Sequence, residues 1–592
     1  MCGICGILNF RKQSIVSQET ISKMNDSIAH RGPDDSGTHI DRFIGLGHRR
    51  LSIIDIQNGR QPMCNENGRI WITYNGEVYN HEELKKQLMK KDHKFNTNCD
   101  TEVIIHAYEE WGTECVLKFN GMFAFAIWDS NDETLFLARD RLGIKPLYYT
   151  ISSGNFLFAS EIKALLKHPS VKTEVQLSSI PEYLFSTSLF DNHTMFKDIY
   201  SLPAGHTAVF ENGAIKISEY WDINLDDDKY TSLSIEQYKE QINDLLNDSV
   251  GMRLMSDVPY GSLLSGGLDS SLVSASAAKH AKQRLRTFSI EFTKNMGLGR
   301  DDDSDTKYAR LMAEAFDTDH WDFIIEPNEY SGCHEKVTWH MEKPVELTTP
   351  SLFLLHKNLK KYITVVLSGE GSDELFGGYY FFLNKVKNNE IDEFPWAPYS
   401  GEVSMLLNDE IKRETCYQEK VKSSLQGLLN KTKTADLLNK VLYLFIKVYL
   451  LEMLERQDKT SMAWGIETRV PFLDHRLVEL VANIPSKYKI SGESEKHILK
   501  ESFKDFIPSE IIDRKKKPFP FPIDPDSIIK QRNIANKLVQ SGNSRIANYF
   551  DKKNTDDFFH KRNKFKNIES LAIFRTSFAM IAVEQWHKAF GV

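Results

Sequence analysis

Residues 1–10 read MCGICGILNF. From Cys2 to Phe10 the run carries no charge and is rich in Ile, Leu and Phe, the pattern of a buried strand. It lacks the basic and long apolar regions of an export signal. Loss of Met1 would make Cys2 the first residue, with a thiol and a free α-amine on one amino acid. Everything else turns on that point: an internal Cys2 is a small buried side chain, whereas a terminal Cys2 is a reagent.

The chemistry of a terminal cysteine is favourable. An α-amine has a pKa of ~7.7–8.0 and a thiol ~8.5, so proton transfer between them is uphill by less than roughly 1 kcal/mol. The amine can serve as general base for its own side chain, and no histidine is required. Attack on an amide then needs donors for the developing oxyanion, each worth ~2.7–4 kcal/mol. Tyr74-Asn75-Gly76-Glu77, just after a strand-like run, offers an Asn amide and a Gly N–H. Arg50 in GHRRLSIID suits bidentate binding of a carboxylate, and Asp100 in CDTEV suits an ammonium. Each has a plainer structural reading: Asn-Gly as a turn, Arg50 as a surface charge, Asp100 as a helix N-cap.

Outward from this stretch, RIWITYNG (69–76), FAFAIWD (123–129), TLFLARD (134–140) and NFLFAS (155–160) read as further strands, and EVIIHAYEEWG (102–112) as a helix. Strands so close in sequence, with two or three helices, suggest sheets packed in layers. WDINLDDDKYTSLSI (221–235), acidic and poor in apolar residues, marks a linker, taken as 213–234. Beyond it strands alternate with helices: YGSLL then DSSLVSASAAKHA, RTFSIEF then a helix over 303–316, YITVVLS then a turn at 372–376. That alternation predicts βαβ units and a parallel sheet. From about residue 430 the chain reads as mostly helical. VLYLFIKVYLLEML (441–454), interrupted by Lys447, falls short of the ~18 apolar residues of a membrane span and reads as a buried helix.

Two glycine-rich runs follow strands in this second half. SGGLDSS (265–271) opens a helix, where consecutive glycines let backbone approach a ligand and helix N–H groups attract phosphate. It lacks the Gly-Lys-Ser/Thr ending of a Walker A loop. Five fixed positions of S-G-G-x-D-S should recur by chance only about once per million windows. LSGEGSDELFGGY (367–379) sets Glu370, Asp373 and Glu374 beside glycines, a ligand loop or else a solvated surface loop. Both runs would lie at the C-terminal edge of one parallel sheet, where such folds bind ligands.

Composition narrows the class. A length of 592 residues implies two to four domains. The 41% apolar and 26% charged residues are ordinary for a globular protein, and a net charge of −8 argues against a nucleic-acid partner. Seven cysteines have no repeating spacing, and Cys2-x-x-Cys5 has no second pair to complete a zinc site. A reducing, cytoplasmic setting without membrane association is expected.

CGICGI, HRGPDDSG (30–37), HRRLSIID (48–55), YNGEVYN (74–80), NGMFAFAIWD (120–129) and RDRLGIKPLYY (139–149) resemble, in order, the class II glutamine amidotransferases. The resemblance implies an N-terminal-nucleophile domain with Cys2 as nucleophile, Asn75 and Gly76 as oxyanion donors, and Arg50, Asn75, Gly76, Glu77 and Asp100 around glutamine. SGGLDSS resembles the loop of ATP pyrophosphatases, which implies that Ser265, Gly266, Gly267, Asp269 and Ser270 bind ATP. Asp269 and Asp373 would hold Mg2+.

The two halves together, over roughly 1–525, resemble the glutamine-hydrolysing asparagine synthetase family, further matches being GIETRVPFLDH (465–475) and RKKKPFPFP (514–522). That resemblance adds Leu263 and Ile290 near adenine, Ser368 and Gly369 at the nucleotide, Glu370 and Lys496 at the acyl-adenylate, and Arg469 as a candidate for the substrate carboxylate. The implied fold class is α/β and α+β. An αββα sandwich over 2–212 precedes a parallel-sheet, adenine-nucleotide α-hydrolase-like domain with a helical C-terminal part over 235–592. The implied reaction converts ATP, aspartate and glutamine to asparagine, glutamate, AMP and pyrophosphate, with ammonia passing between two sites. Partners are then small molecules, with a homodimer allowed. Rival readings are amidation of another carboxylate, such as a sugar acid, peptide or natural product, a decayed regulatory protein, and a sugar or purine amidotransferase. Residues 525–592 carry no motif.

Overall fold

A computed structural model describes residues 2–211, 213–226, 233–293, 305–379, 391, 394, 396, 404–517, 519, 521, 525–561 and 567–592. Met1, residues 227–232 of the expected linker, 303–304 of the expected helix, and Pro518, Pro520 and Pro522 of the basic Phe-Pro run lie outside the described residues.

The first half holds two six-stranded antiparallel sheets. Their strands are β1 (Gly3–Asn9), β2 (Asp35–Asp41), β3 (Ile44–Arg50), β4 (Met63–Cys64), β5 (Ile70–Val78), β6 (Gly121–Asp129), β7 (Thr134–Arg139), β8 (Tyr148–Ser152), β9 (Asn155–Ala159), β10 (Tyr200–Ser201), β11 (His206–Glu211) and β12 (Ala214–Glu219). One sheet runs β10-β8-β9-β1-β3-β2 and the other β12-β11-β7-β6-β5-β4. All seven residues of β1 are buried, because the strand has protein on both faces. Ile4 and Leu8 enter the core between the sheets with Leu46, Ala124 and Ala126. Cys5 and Ile7, pointing the other way, pack with Ile21, Met24 and Ile28 along the helix Gln18–Ser27. The second sheet is backed by helices His81–Met89 and Asp100–Trp111 through Ile72, Tyr74, Leu84, Leu88 and Val103. The layers are therefore helix, sheet, sheet, helix, as expected.

The linker boundary needs correction. β12 forms an antiparallel hairpin with β11 inside the stretch assigned to the linker from residue 213. Four of its six residues are exposed at the sheet edge, so its composition resembles a connector.

The second half is built on β13 (Tyr260–Leu263), β14 (Arg286–Phe292), β15 (Asp319–Ile325), β16 (Val365–Leu367) and β17 (Glu467–Arg469). Every neighbouring pair is parallel, and the order is β15-β14-β13-β16-β17. Strand order reverses between β13 and β16, which opens a crevice at their C-terminal ends. β17 departs from the expected helical run after 430, and its three residues are wholly buried. The expected turn at 372–376 is a short helix, Ser372–Phe376. The buried helix expected at 441–454 is Leu437–Leu444 continued through a π-helical turn, Phe445–Tyr449, into Leu450–Met462. Lys447, in that turn, pairs with Asp222 at 2.9 Å. The long C-terminal helix Asn567–Phe590 is scaffold: its fully buried Trp586 donates to the Glu342 carbonyl at 3.1 Å.

Two apolar clusters among the described residues draw on both halves. In one, Leu51, Ile53, Met122, Leu142 and Ile144 of the sandwich pack with Leu264, Leu367, Val470 and Leu473 of the parallel-sheet half. The other joins Leu165, Ile180 and Tyr183 to Tyr417, Phe445 and Trp586.

Candidate active sites

Cys2 lies at the head of β1, buried, with its backbone N–H donating to Asn75 Oδ1 at 2.9 Å. This bond orients the Asn75 amide, whose buried Nδ2 is left without a partner. An orphaned buried donor beside a nucleophile is what an oxyanion site requires. Gly76 follows on β5, and a Cβ there would lie 2.2 Å from the Met122 carbonyl, so only glycine permits this approach of β5 to β6. Burial pushes the Cys2 thiol up, while the Leu51 N–H and Arg50 counter that effect. His48, on the adjacent strand, is no rival base. Burial lowers its pKa to about 3, and Nε2 bonds the Tyr74 carbonyl at 3.1 Å.

The other expected glutamine residues converge here in different ways. Asp100 Oδ2 accepts from Tyr74 Oη at 2.8 Å and from Val78 N at 2.9 Å. Asp100 is thus the first residue of its helix, not its N-cap, and its carboxylate turns into the sandwich. Arg50 donates to the carbonyls of Ile56 and Asp55, each at 2.8 Å, and to that of Ile54 at 3.2 Å, which fixes it against its own loop. Glu77 is 4% exposed, and its Oε2 has no partner. Burial, with Glu467 and Asp100 close by, pushes its carboxyl well above the usual range, opposed by Arg469.

Arg469 is the clear correction. Its side chain is fully buried on β17 and bonds Glu467 Oε1 at 2.6 Å and the Arg253 and Met255 carbonyls at 2.8 and 2.6 Å. Its remaining Nη2 faces Glu77 Oε1 at 3.5 Å. It is therefore engaged beside the glutamine residues and is not available to an acceptor at the nucleotide crevice. Glu467 and Arg31 were not anticipated either. Arg31 donates from Nε to the Cys2 carbonyl at 3.1 Å and pairs with Glu161 and Asp458, each at 2.9 Å. No local pattern distinguishes these charges from surface ones, since their burial arises only when the halves meet.

At the crevice, Ser265 N donates to Ser270 Oγ at 3.1 Å, and the two hydroxyl oxygens are 3.0 Å apart. The helix Leu268–His280 starts directly after Gly267. Gly266 has φ +70°, and a Cβ there would meet Ala309 N at 2.5 Å. Gly369 presses the second loop against the first: its Cβ would stand 2.9 Å from Asp269 C and Ser270 N. Leu263 ends β13, Ile290 lies buried on the neighbouring β14, and Ser368 follows β16 with its N–H on the Arg469 carbonyl at 2.9 Å. The residues expected at the nucleotide thus gather on β14 and β13 and in the loops after β13 and its other neighbour, β16.

Lys496 spans these loops. Its Nζ lies 2.7 Å from both oxygens of Asp269 and 2.6 Å from Asp373 Oδ1. Its φ of +52°, uncommon for a residue with a side chain, heads the helix His497–Phe503. Burial opposes its charge, but the two carboxylates prevail and hold it protonated. Glu370 is raised by burial and partly offset by Arg456, whose Nη2 is 3.6 Å away. Arg456 also binds Thr348 Oγ1 at 2.5 Å and Glu346 at 3.2 Å, so it links the segment around Glu346 and Thr348 to Glu370. Glu374 is pushed up to about 7 by burial beside Asp373 and Glu370.

Two carboxylates that converge on one ammonium fit a hard, oxygen-binding cation such as Mg2+. Elsewhere, His93, His106 and Glu109 have metal-ligand spacing. Glu109 there is already bonded by His106 Nδ1 at 2.6 Å and by Asn65 at 2.7 Å, which accounts for the group without a metal. Among the described residues no helix is long and apolar enough to cross a membrane.

Comparison with known proteins bears on both sites. Residues 1–221 match the model of the glutamine amidotransferase domain, and residues 241–588 match that of asparagine synthase. The chain belongs to the asparagine synthase family. It is 37% identical over 540 residues to asparagine synthetase [glutamine-hydrolyzing] 3 of Bacillus subtilis (strain 168), covering 88% of this chain and 87% of that one. With asparagine synthetase [glutamine-hydrolyzing] 1 of the same organism it shares 33% over 607 residues, covering 95% and 92%. With asparagine synthetase [glutamine-hydrolyzing] 2 of Oryza sativa subsp. japonica it shares 32% over 578 residues, covering 94% and 83%.

Proposed function

We propose that the protein makes L-asparagine from L-aspartate, with glutamine as nitrogen donor and ATP cleaved to AMP and pyrophosphate, in the cytoplasm. The observation that carries the glutamine half is Asn75: one end of its amide accepts from Cys2 N and the other is a buried, unpartnered donor. Cys2 Sγ attacks the glutamine amide carbon as its proton passes to the terminal amine. The oxyanion is met by Asn75 Nδ2 and the Gly76 N–H. Ammonia leaves with that proton, and water hydrolyses the thioester to glutamate. Arg50, Glu77 and Asp100 hold the amino-acid end of glutamine.

In the second half the aspartate β-carboxylate attacks the α-phosphorus of ATP, and pyrophosphate leaves. A carboxylate is inert to ammonia because its leaving group would be oxide; as an acyl-adenylate it loses AMP instead. The SGGLDSS loop holds the phosphates, Leu263 and Ile290 flank adenine, and Lys496 offsets charge on the leaving groups. Asp269 and Asp373 would hold Mg2+, which supplies further neutralisation of phosphate. Arg456, beside Glu370 and Thr348, takes the place of Arg469 as the cation for the aspartate carboxylate. Ammonia crosses under the shared apolar cluster of Leu51 and Leu264, where it escapes protonation by bulk water.

The deciding experiment supplies amide-¹⁵N glutamine and ATP with aspartate or with a mixed pool of carboxylic acids. Labelled asparagine and AMP are expected. A different labelled amide would move the reaction to another acceptor, and ADP would overturn the adenylation. Cys2→Ala should lose glutamine-dependent synthesis while free ammonia still supports it.

A further inference from the structure

We infer that Arg469, on the edge strand of the parallel-sheet half, is a positioning residue for glutamine: it reaches across the interface to fix Glu77, so the glutamine pocket is completed by the other half of the chain. This rests on the glutamine reading above. Three of the five guanidinium N–H groups are spent on the Arg469 side of the interface, Nε on Glu467 and Nη1 on the Arg253 and Met255 carbonyls. They aim Nη2, which has no hydrogen-bond partner of its own, at Glu77 Oε1. Two residues along, the Tyr79 ring lies under both guanidinium groups, 4.4 Å from that of Arg253 and 5.8 Å from that of Arg469. The end of β5 that carries Asn75, Gly76 and Glu77 is thereby clamped by two cations from the second half.

The electrostatic logic is specific. Glu77 shares a dry region with Glu467 and Asp100, and a carboxylate so placed takes a proton unless a cation stays near it. A protonated Glu77 cannot balance the glutamine ammonium. Arg469 opposes that protonation and leaves Oε2 free for the ligand. Arg suits this role better than Lys, because its rigid fork holds three anchors and still presents a fourth edge.

The test uses the full-length enzyme with Arg469→Met and Arg469→Lys, and measures glutaminase kinetics and ammonia-dependent asparagine synthesis. For Arg469→Met the KM for glutamine should rise at least ~10-fold, as for loss of one partner of a buried charge pair, while kcat changes less than about 3-fold. Ammonia-dependent synthesis should persist, and Arg469→Lys should recover part of the KM. If Arg469→Met does not fold, Arg469→Lys alone must show a raised KM with kcat kept. A wild-type glutamine KM in the variants overturns the inference, as does an equal loss of both activities, which would mark a purely structural clamp. A wild-type enzyme unable to hydrolyse glutamine would instead sink the underlying reading.

Discussion

Lys496 Nζ stands between Asp269 and Asp373, 2.7 Å from one carboxylate and 2.6 Å from the other, and so ties the phosphate loop after β13 to the acidic loop after β16. Lys496 pairs with both carboxylates across the crevice where ATP is proposed to bind, and Lys516 pairs with Asp373 as well. Replacing Lys496 by methionine leaves Asp269 without that ammonium and facing the substrate phosphates. Lys496→Met should lower kcat for asparagine formation by ~10²-fold or more, in the range found for loss of one transition-state donor. Glutaminase activity should stay within about 3-fold of wild type. A pyrophosphate-release assay beside a glutamate assay reads both, and parallel losses would contradict the division.

Gly369 offers a steric test of the same crevice. A methyl group there would stand 2.9 Å from Asp269 C and Ser270 N, against backbone that cannot swing aside. Gly369→Ala should therefore push the two loops apart and raise the KM for ATP about 10-fold or more, since overpacking of this kind costs ~1–3 kcal/mol. The KM for glutamine should not move. An unchanged KM for ATP would show that the loops need not touch for the nucleotide to bind.

The sequence makes some of this architecture plain and hides the rest for physical reasons. β1, β5, β6 and β7 stand out because they are buried on both faces and so read as unbroken apolar runs. β2 and β12, edge strands with solvent on one side, carry too little apolar pattern to be seen. β17 escapes because two of its three residues are charged, and their burial is affordable only once Arg469 meets Glu77 and Glu467. Some motif residues are legible because local geometry demands them: Gly266 at positive φ, and Gly76 against the Met122 carbonyl. Arg31, Glu467 and Asp458 are not, since what sets them apart is contact between distant halves. Arg469 stands out in GIETRVPFLDH, but the burial of its side chain against Glu77 and Glu467 is hidden for the same reason.

Tyr74 tests how the glutamine pocket is held. Its hydroxyl supplies one of the two hydrogen bonds to Asp100 Oδ2, the other coming from Val78 N. Tyr74→Phe removes that donor without removing the ring that packs in the sandwich core. A hydrogen bond to a charged group is worth ~1.5–3 kcal/mol, so the KM for glutamine should rise about 10-fold or more. Ammonia-dependent synthesis should be unaffected. Steady-state glutaminase kinetics decide it, and a change in kcat with no change in KM would assign the hydroxyl to the chemical step instead.

Glu182 sets a pH dependence of stability. It is 2% exposed, its carboxylate accepts from Phe190 N at 3.3 Å, and burial raises its pKa to about 7. In the unfolded chain a glutamate titrates near ~4.3. Between those values the folded state binds the proton and the unfolded state does not, so stability falls as pH rises. Below ~4.3 both states are protonated and nothing is lost; above about 7 the full difference, on the order of 4 kcal/mol, is lost. Glu182→Gln cannot ionise, so the gap in unfolding free energy between variant and wild type should move in favour of the variant from pH 4 to pH 8. Denaturant titrations at the two pH values measure that change directly. A gap that stays constant would mean that Glu182 finds a partner for its charge and remains ionised in the folded protein.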